Sequence, residues 1–280
     1  MIAMADKYQT GRALRPFSFA VAGVAGLTGI VAASGASEII WLQAFSLLCA
    51  AILLQAGVNL INDCSDLPFL TGDARSCELI HKNMRIAVVC FALATAVAVY
   101  FIAIRGWPAL LLTLTGVAGA LGYTLEPVNL KRRGYAVAAV FWLMGVLMIC
   151  GVYYFLSGRI DGQIIRQAIP VSLLTSLLLL ANEIRDYETD RAQGCKTLSV
   201  RLGLKKAVLL YRTGLAVLLV SCPLLYFSGD LKFIWPLLLS VPWALTLLPM
   251  AGLGQHARRY LPPATGRFFL LFGLLYLTTL

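Results

Sequence analysis

The chain has 280 residues, 60% of them apolar and only 13% charged, with a formal net charge of +10. A soluble domain carries roughly 25% charged residues, so this chain lacks the charge to cover a soluble exterior. A basic balance can signal nucleic acid, but the Lys and Arg residues are spread over short loops between apolar runs, so no nucleic-acid partner is expected.

The apolar runs, in chain order, lie near residues 17–36, 39–60, 86–104, 107–125, 135–156, 164–182, 207–227, 233–252 and 264–280. Each approaches the ~20 residues that a helix needs to cross the hydrocarbon core. The expectation is an all-α polytopic membrane protein with nine transmembrane helices, forming one domain over residues 1–280. The first run leads through Ala33-Ser34-Gly35-Ala36 directly into the second, which does not suit a cleaved signal peptide. The N-terminus and the loops after the second, fourth, sixth and eighth runs hold 19 of the 23 Lys and Arg residues. Cytoplasmic loops are the basic ones, so this side is assigned to the cytoplasm and the C-terminus to the outside. The seven cysteines form no Cys-x-x-Cys pair, which points to reduced thiols and not to a zinc site.

Ten of the 13 acidic residues fall on the same side, eight of them in two clusters. The first cluster ends the second run with Asn59, Asn62, Asp63 and Asp66, spaced i, i+3, i+4 and i+7, which is one face of an α-helix. The second ends the sixth run, where Asn182, Asp186 and Asp190 are spaced i, i+4 and i+8. Carboxylates so grouped at membrane depth repel one another unless a cation or partner neutralises them. Oxygen-only ligands suit a hard ion, and Mg²⁺ commonly takes one or two carboxylates together with substrate phosphates. Two stripes on one side therefore suggest a diphosphate held between Mg²⁺ ions. The plainer reading is helix caps paired with Arg75, Arg185 and Arg191. A cation-coupled transporter is a third reading, but its path would need polar groups reaching the other face.

The two stripes resemble the aspartate-rich motifs of the UbiA superfamily of intramembrane prenyltransferases. The second motif continues through Gly194, Lys196-Thr197-Leu198, Arg201 and Gly203 as that family's does. Gly122-Tyr123-Thr124 followed by Pro127 and Leu130-Lys131, and the stretch from Gly145 to Tyr154, resemble the 1,4-dihydroxy-2-naphthoate polyprenyltransferase branch. Ala13-Leu14-Arg15-Pro16 matches the usual approach to the first helix. Cys64 stands where the family has Tyr, Gly72 and Asp73 are adjacent instead of separated, and Tyr135-Ala136-Val137 replaces the branch's Leu-Gly-Glu.

The resemblance implies nine helices around a central cavity open to lipid, with both motifs at its cytoplasmic mouth in a bacterial or archaeal plasma membrane. It implies that Asn62, Asp66, Asp186 and Asp190, with Asp73 as a further candidate, hold Mg²⁺ on a polyprenyl diphosphate. Asn59, Asp63 and Asn182 support them. Lys131 and Tyr123 meet the diphosphate oxygens, with Arg191 and Lys196 as further basic candidates. Arg15 either orients the carboxylate of an aromatic acceptor or anchors the helix start. The acceptor implied is 1,4-dihydroxy-2-naphthoate of menaquinone synthesis, with 4-hydroxybenzoate as the rival.

Overall fold

A computed structural model describes residues 6–70 and 72–280, and every regular element among them is helical. The main helices are α1 (Phe17–Ala36), α2 (Trp41–Asn62), α3 (Ala74–Arg105), α4 (Trp107–Thr124), α5 (Ala136–Ser157), α6 (Gly162–Arg185), α7 (Leu204–Phe227), α8 (Trp235–Met250) and α9 (Leu261–Leu277). Among the described residues six of these, α1, α2, α3, α5, α6 and α7, are long and apolar enough to cross a membrane. The expected fourth, eighth and ninth spans are shorter helices, with 18 residues in α4 and 17 in α9. Helix α8 is interrupted at Leu239-Ser240, and each of its two pieces carries a proline in its first turn. Proline lacks an N–H and is tolerated where a helix begins, which is why the run restarts instead of continuing.

Helix α3 begins twelve residues before its apolar run. Asp73 caps it by accepting from the Ser76 amide at 3.1 Å, and the polar stretch after it winds into the same 32-residue helix. Within that extension Asn83 donates to the Tyr8 carbonyl at 2.9 Å and accepts from Thr10 Oγ1 at 2.8 Å, fastening the N-terminal segment across the end of α2.

The exterior is apolar: Trp41, Leu42, Phe45, Val88, Val89 and Leu93 are all exposed. Such a surface is stable against lipid, where no hydrophobic force drives helices together and close packing of small residues must. At Gly29 a Cβ would lie 2.6 Å from the Ile149 carbonyl oxygen, so only glycine lets α1 approach α5 this closely. Helix α6 is the central element, packed against α5, α7 and α9. Opposite it, residues Phe141–Leu147 of α5 wind as a π-helix, a local widening often found at functional sites. The helices enclose a cavity of about 990 Å³ whose wall is mainly apolar, with Leu143, Met144 and Leu147 of the π-turn in it. Its polar end is where α2 and α6 terminate, marked by Asn59, Asn62 and Asn182.

Candidate active site

Both acidic stripes depart from continuous α-helix. Helix α2 ends at Asn62, and Asp63–Phe69 tighten into a 3₁₀ turn, so Asp63 and Asp66 do not continue the face of Asn59 and Asn62. Asn, Asp, Cys and Ser are all weak helix formers that compete for backbone hydrogen bonds, and five of them occupy positions 62–66. Helix α6 likewise ends at Arg185, and a second helix, Tyr187–Ala192, follows. Here the i, i+4 rows survive the break. The Asp186 amide bonds the Asn182 carbonyl at 3.0 Å, and the Asp190 amide bonds that of Asp186 at 2.8 Å.

Each carboxylate of the stripes has a close polar neighbour. Arg15 Nη2 donates to Asp63 at 3.0 Å, and Lys7 Nζ and the Tyr8 hydroxyl donate to Asp66 at 2.7 and 3.2 Å. Arg185 grips Asp186 through two bonds of 2.7 and 2.6 Å, and Thr197 Oγ1 donates to Asp190 at 3.2 Å. Asn59 is locked in place, donating to the Leu14 carbonyl and Ser18 Oγ while accepting from Gln55 Nε2. Asn182 donates to the Leu178 carbonyl. Asp73 spends both oxygens on Ser76, at 3.1 and 2.6 Å. These two bonds hold its carboxyl below the usual carboxylate range. Arg191 and Lys196 are exposed beside the second stripe.

Lys131 is the group that both stripes share. The loop after α4 folds back, with the Lys131 amide on the Tyr123 carbonyl at 3.1 Å and the Leu130 amide on that of Gly122 at 3.0 Å. This turns the Lys131 side chain inward, where Nζ reaches Asn62 Oδ1 at 3.2 Å. Burial, with the Arg15 charge adding to it, lowers the Lys131 pKa, while Asp66 and Asp63 oppose the shift. Asp190 senses the same ammonium from the other side: burial and then Asp186 raise its pKa, and Lys131 is among the groups that pull it back. The return of the loop rests on Gly134, whose φ is +80°. A Cβ there would sit 2.6 Å from the Lys196 carbonyl oxygen, so the lysine loop lies directly on the continuation of the second motif. Arg133, by contrast, points outward to the Pro127 carbonyl and Glu126. Of the other sequence candidates, Arg15, Asn59, Asn62, Tyr123 and Asn182 line the cavity itself. The four aspartates and Lys131 stand at its mouth.

Three contributors escaped the sequence reading. Lys7 and Tyr8 reach Asp66 only because the N-terminal segment folds over α2. The third is Arg258, which is buried, donates to the Ile184 carbonyl at 3.0 Å and pairs with Glu188, between the two aspartates of the second stripe. In sequence it is one more basic residue of a cytoplasmic-type loop. Glu183 also proves structural: it is buried and accepts from the Ser199 amide at 3.0 Å, capping the helix Leu198–Leu202.

Among the described residues no three His, Cys, Asp or Glu side chains gather as a ready-made metal site. The basic neighbours explain this, since each of Asp63, Asp66 and Asp186 is held toward its own Lys or Arg. Lys7 and Arg185 are 59% and 37% exposed, so both can withdraw to water. What they leave is an oxygen-only donor set of carboxylates and Asn carbonyls. That chemistry fits a hard divalent cation and offers nothing to a soft one.

Known proteins resemble this chain in sequence and fold. The profile described as the UbiA prenyltransferase family matches residues 22–273. The chain belongs to that family. Among curated relatives, the 1,4-dihydroxy-2-naphthoate octaprenyltransferase of Mycobacterium tuberculosis is 30% identical over 262 residues, 90% of this chain and 84% of that protein. The solved apo structure of a UbiA homolog from Aeropyrum pernix superposes with a TM-score of 0.69 at 19% identity, covering 94% of this chain and 96% of that one. A UbiA homolog from Archaeoglobus fulgidus bound to GPP and Mg²⁺ superposes at 0.66 with 14% identity, covering 96% and 99%. The fold of a UbiA prenyltransferase is therefore that of this chain.

Proposed function

We propose that the protein transfers a polyprenyl group from its diphosphate to 1,4-dihydroxy-2-naphthoate, with Mg²⁺ at the two aspartate stripes. The observation that carries this reading is the extended similarity to the mycobacterial octaprenyltransferase, joined to an apolar cavity whose polar end gathers Asn carbonyls, the carboxylates paired with Lys7, Arg15 and Arg185, and Lys131. Asn62, Asp66, Asp186 and Asp190 would hold the cation, with Asn59, Asp63 and Asn182 supporting them. Asp73 keeps its role as a helix cap, and Arg191 and Lys196 stand as outer basic residues. Bound there, Mg²⁺ supplies charge neutralisation for a diphosphate leaving group. Lys131 donates to the departing oxygens, and the Tyr123 hydroxyl lies in the wall below them. The apolar wall keeps water from the allylic cation as its C–O bond breaks. The ring carbon bearing the acceptor's carboxylate then bonds the prenyl carbon, and the carboxylate leaves as CO₂.

Purified protein should convert labelled octaprenyl diphosphate and 1,4-dihydroxy-2-naphthoate to a prenylated product with Mg²⁺ present and not in excess EDTA. Turnover with 4-hydroxybenzoate alone would reject the acceptor, and full turnover in EDTA would reject the cation. The reading places the protein in a bacterial or archaeal plasma membrane with the N-terminus and Lys131 in the cytoplasm and Leu280 outside. Compartment-specific reporters fused at positions 131 and 280 should report opposite sides.

A further inference from the structure

Three arginines line the cavity: Arg15, Arg185 and Arg267. Two are committed, Arg15 to Asp63 and Arg185 to Asp186. Arg267 lies inside α9, in the wall with Phe17, Pro262 and Pro263, and among the described residues it has no acidic partner and no hydrogen bond. Its side chain is exposed, and an ionisable group that faces an internal cavity of a membrane protein marks a candidate functional site. Its position is fixed from behind: a Cβ at Gly266 would overlap the Phe17 ring at 2.2 Å, so α9 sits tight against the start of α1. Arg258, one turn before α9, is anchored to the end of α6. Arg267 is therefore held about 9 Å along the helix from Leu261, at 1.5 Å per residue, beneath the mouth where the aspartates stand. The diphosphate end of the cavity already has Lys131, whereas this flank offers an unpaired guanidinium beside apolar walls. A planar guanidinium matches a carboxylate through two parallel hydrogen bonds, and proline and aromatic faces suit a flat ring.

We infer that Arg267 binds the carboxylate of the aromatic acceptor and so selects hydroxyaryl carboxylates over the corresponding phenols. This rests on the acceptor class proposed above. The oxyanion could also come from a diphosphate or a lipid phosphate, and the test separates these sources.

Equilibrium binding to metal-free protein in detergent should be measured for 1-hydroxy-2-naphthoate, 1-naphthol and geranyl diphosphate, on wild type, Arg267→Met and Arg267→Lys. In Arg267→Met, affinity for 1-hydroxy-2-naphthoate should fall about 10- to 100-fold, the loss expected for a charge-assisted pair of hydrogen bonds. Binding of 1-naphthol and geranyl diphosphate should change less than about threefold, which also shows that the variant is folded, and Arg267→Lys should recover part of the loss. Unchanged hydroxynaphthoate affinity in Arg267→Met overturns the inference, as does a loss confined to geranyl diphosphate. Lipid anchoring predicts equal losses for every ligand together with a lowered melting temperature, and that too overturns it. A wild type that binds 4-hydroxybenzoate and not 1-hydroxy-2-naphthoate rejects the naphthoate reading, and Arg267 is then judged by the same comparison of 4-hydroxybenzoate with phenol. A wild type that binds no aryl carboxylate overturns both.

Discussion

Replacing Lys131 by alanine removes an ammonium that touches Asn62 of the first stripe and acts on Asp190 of the second. Its Nζ lies 3.2 Å from Asn62 in a half-buried position, whereas Arg133, two residues on, is 57% exposed and already balanced by Glu126 at 3.7 Å. Two unit charges ~4 Å apart interact by about 4 kcal/mol at an effective dielectric of ~20, and by about 1 kcal/mol in water. At 1.36 kcal/mol per decade, the first figure corresponds to roughly 10³ in rate and the second to less than tenfold. A bound cation shares the neutralising task, so the lower part of the ~10²- to 10³-fold range seen for loss of one preorganised donor is the better expectation for Lys131→Ala. Arg133→Ala should keep most of the activity. The assay is single-turnover transfer from a labelled polyprenyl diphosphate at saturating acceptor, with thermal melts in detergent to show that both variants are folded. If both variants lose activity equally, or neither does, the basic triplet Lys131-Arg132-Arg133 serves only orientation in the membrane, and the diphosphate contact must be sought at Arg191 or Lys196.

Arg258→Met should leave Glu188 without its partner beside the second stripe. Since Glu188 is 37% exposed, the expected loss is about 2 kcal/mol, less than for a fully buried pair. The half-saturating Mg²⁺ concentration should also rise, and the double variant Arg258→Met/Glu188→Gln should recover much of the stability in a double-mutant cycle; additive losses would refute the pairing. Gly134→Ala should lower the melting temperature and activity together, because its left-handed backbone and the Lys196 carbonyl leave no room for a Cβ. A neutral outcome there would deny that the Lys131 loop is docked on the second motif. At the opposite end, Arg166 holds Asp230 through bonds of 2.6 and 2.8 Å and keeps its pKa below the ordinary 3.8. A depressed folded pKa gives stability that is present above the unfolded pKa of about 3.8 and lost as pH falls through the lower folded value. Asp230→Asn should therefore lower the melting temperature at neutral pH and flatten the melting profile below pH 4; an unchanged acid limb would count against the pair.

Composition and hydropathy alone determined that this is an all-helical membrane protein, because 13% charged residues cannot hydrate a soluble surface and lipid leaves helices as the simplest way to satisfy the backbone. The spacing of Asn59, Asn62, Asp63 and Asp66, and of Asn182, Asp186 and Asp190, suggests the hard-cation chemistry proposed above, since residue type and periodicity are local properties of the chain. Helix ends were less legible: the 3₁₀ turn after Asn62, the restart after Asp186 and the early start of α3 at Ala74 each depend on caps and packing that periodicity does not encode. Only the tertiary structure decided which charges meet. Lys7, Arg258 and Arg267 read identically as basic residues near one membrane face, and Lys131 stands apart from them only through the family resemblance. Their roles separate because chain reversals of 59, 69 and 74 residues bring Lys7 to Asp66, Lys131 to Asn62 and Arg258 to Ile184, and leave Arg267 facing the cavity. A charge's effect depends on its distance to its partners and on the water between them, and both are set by the fold of the whole chain.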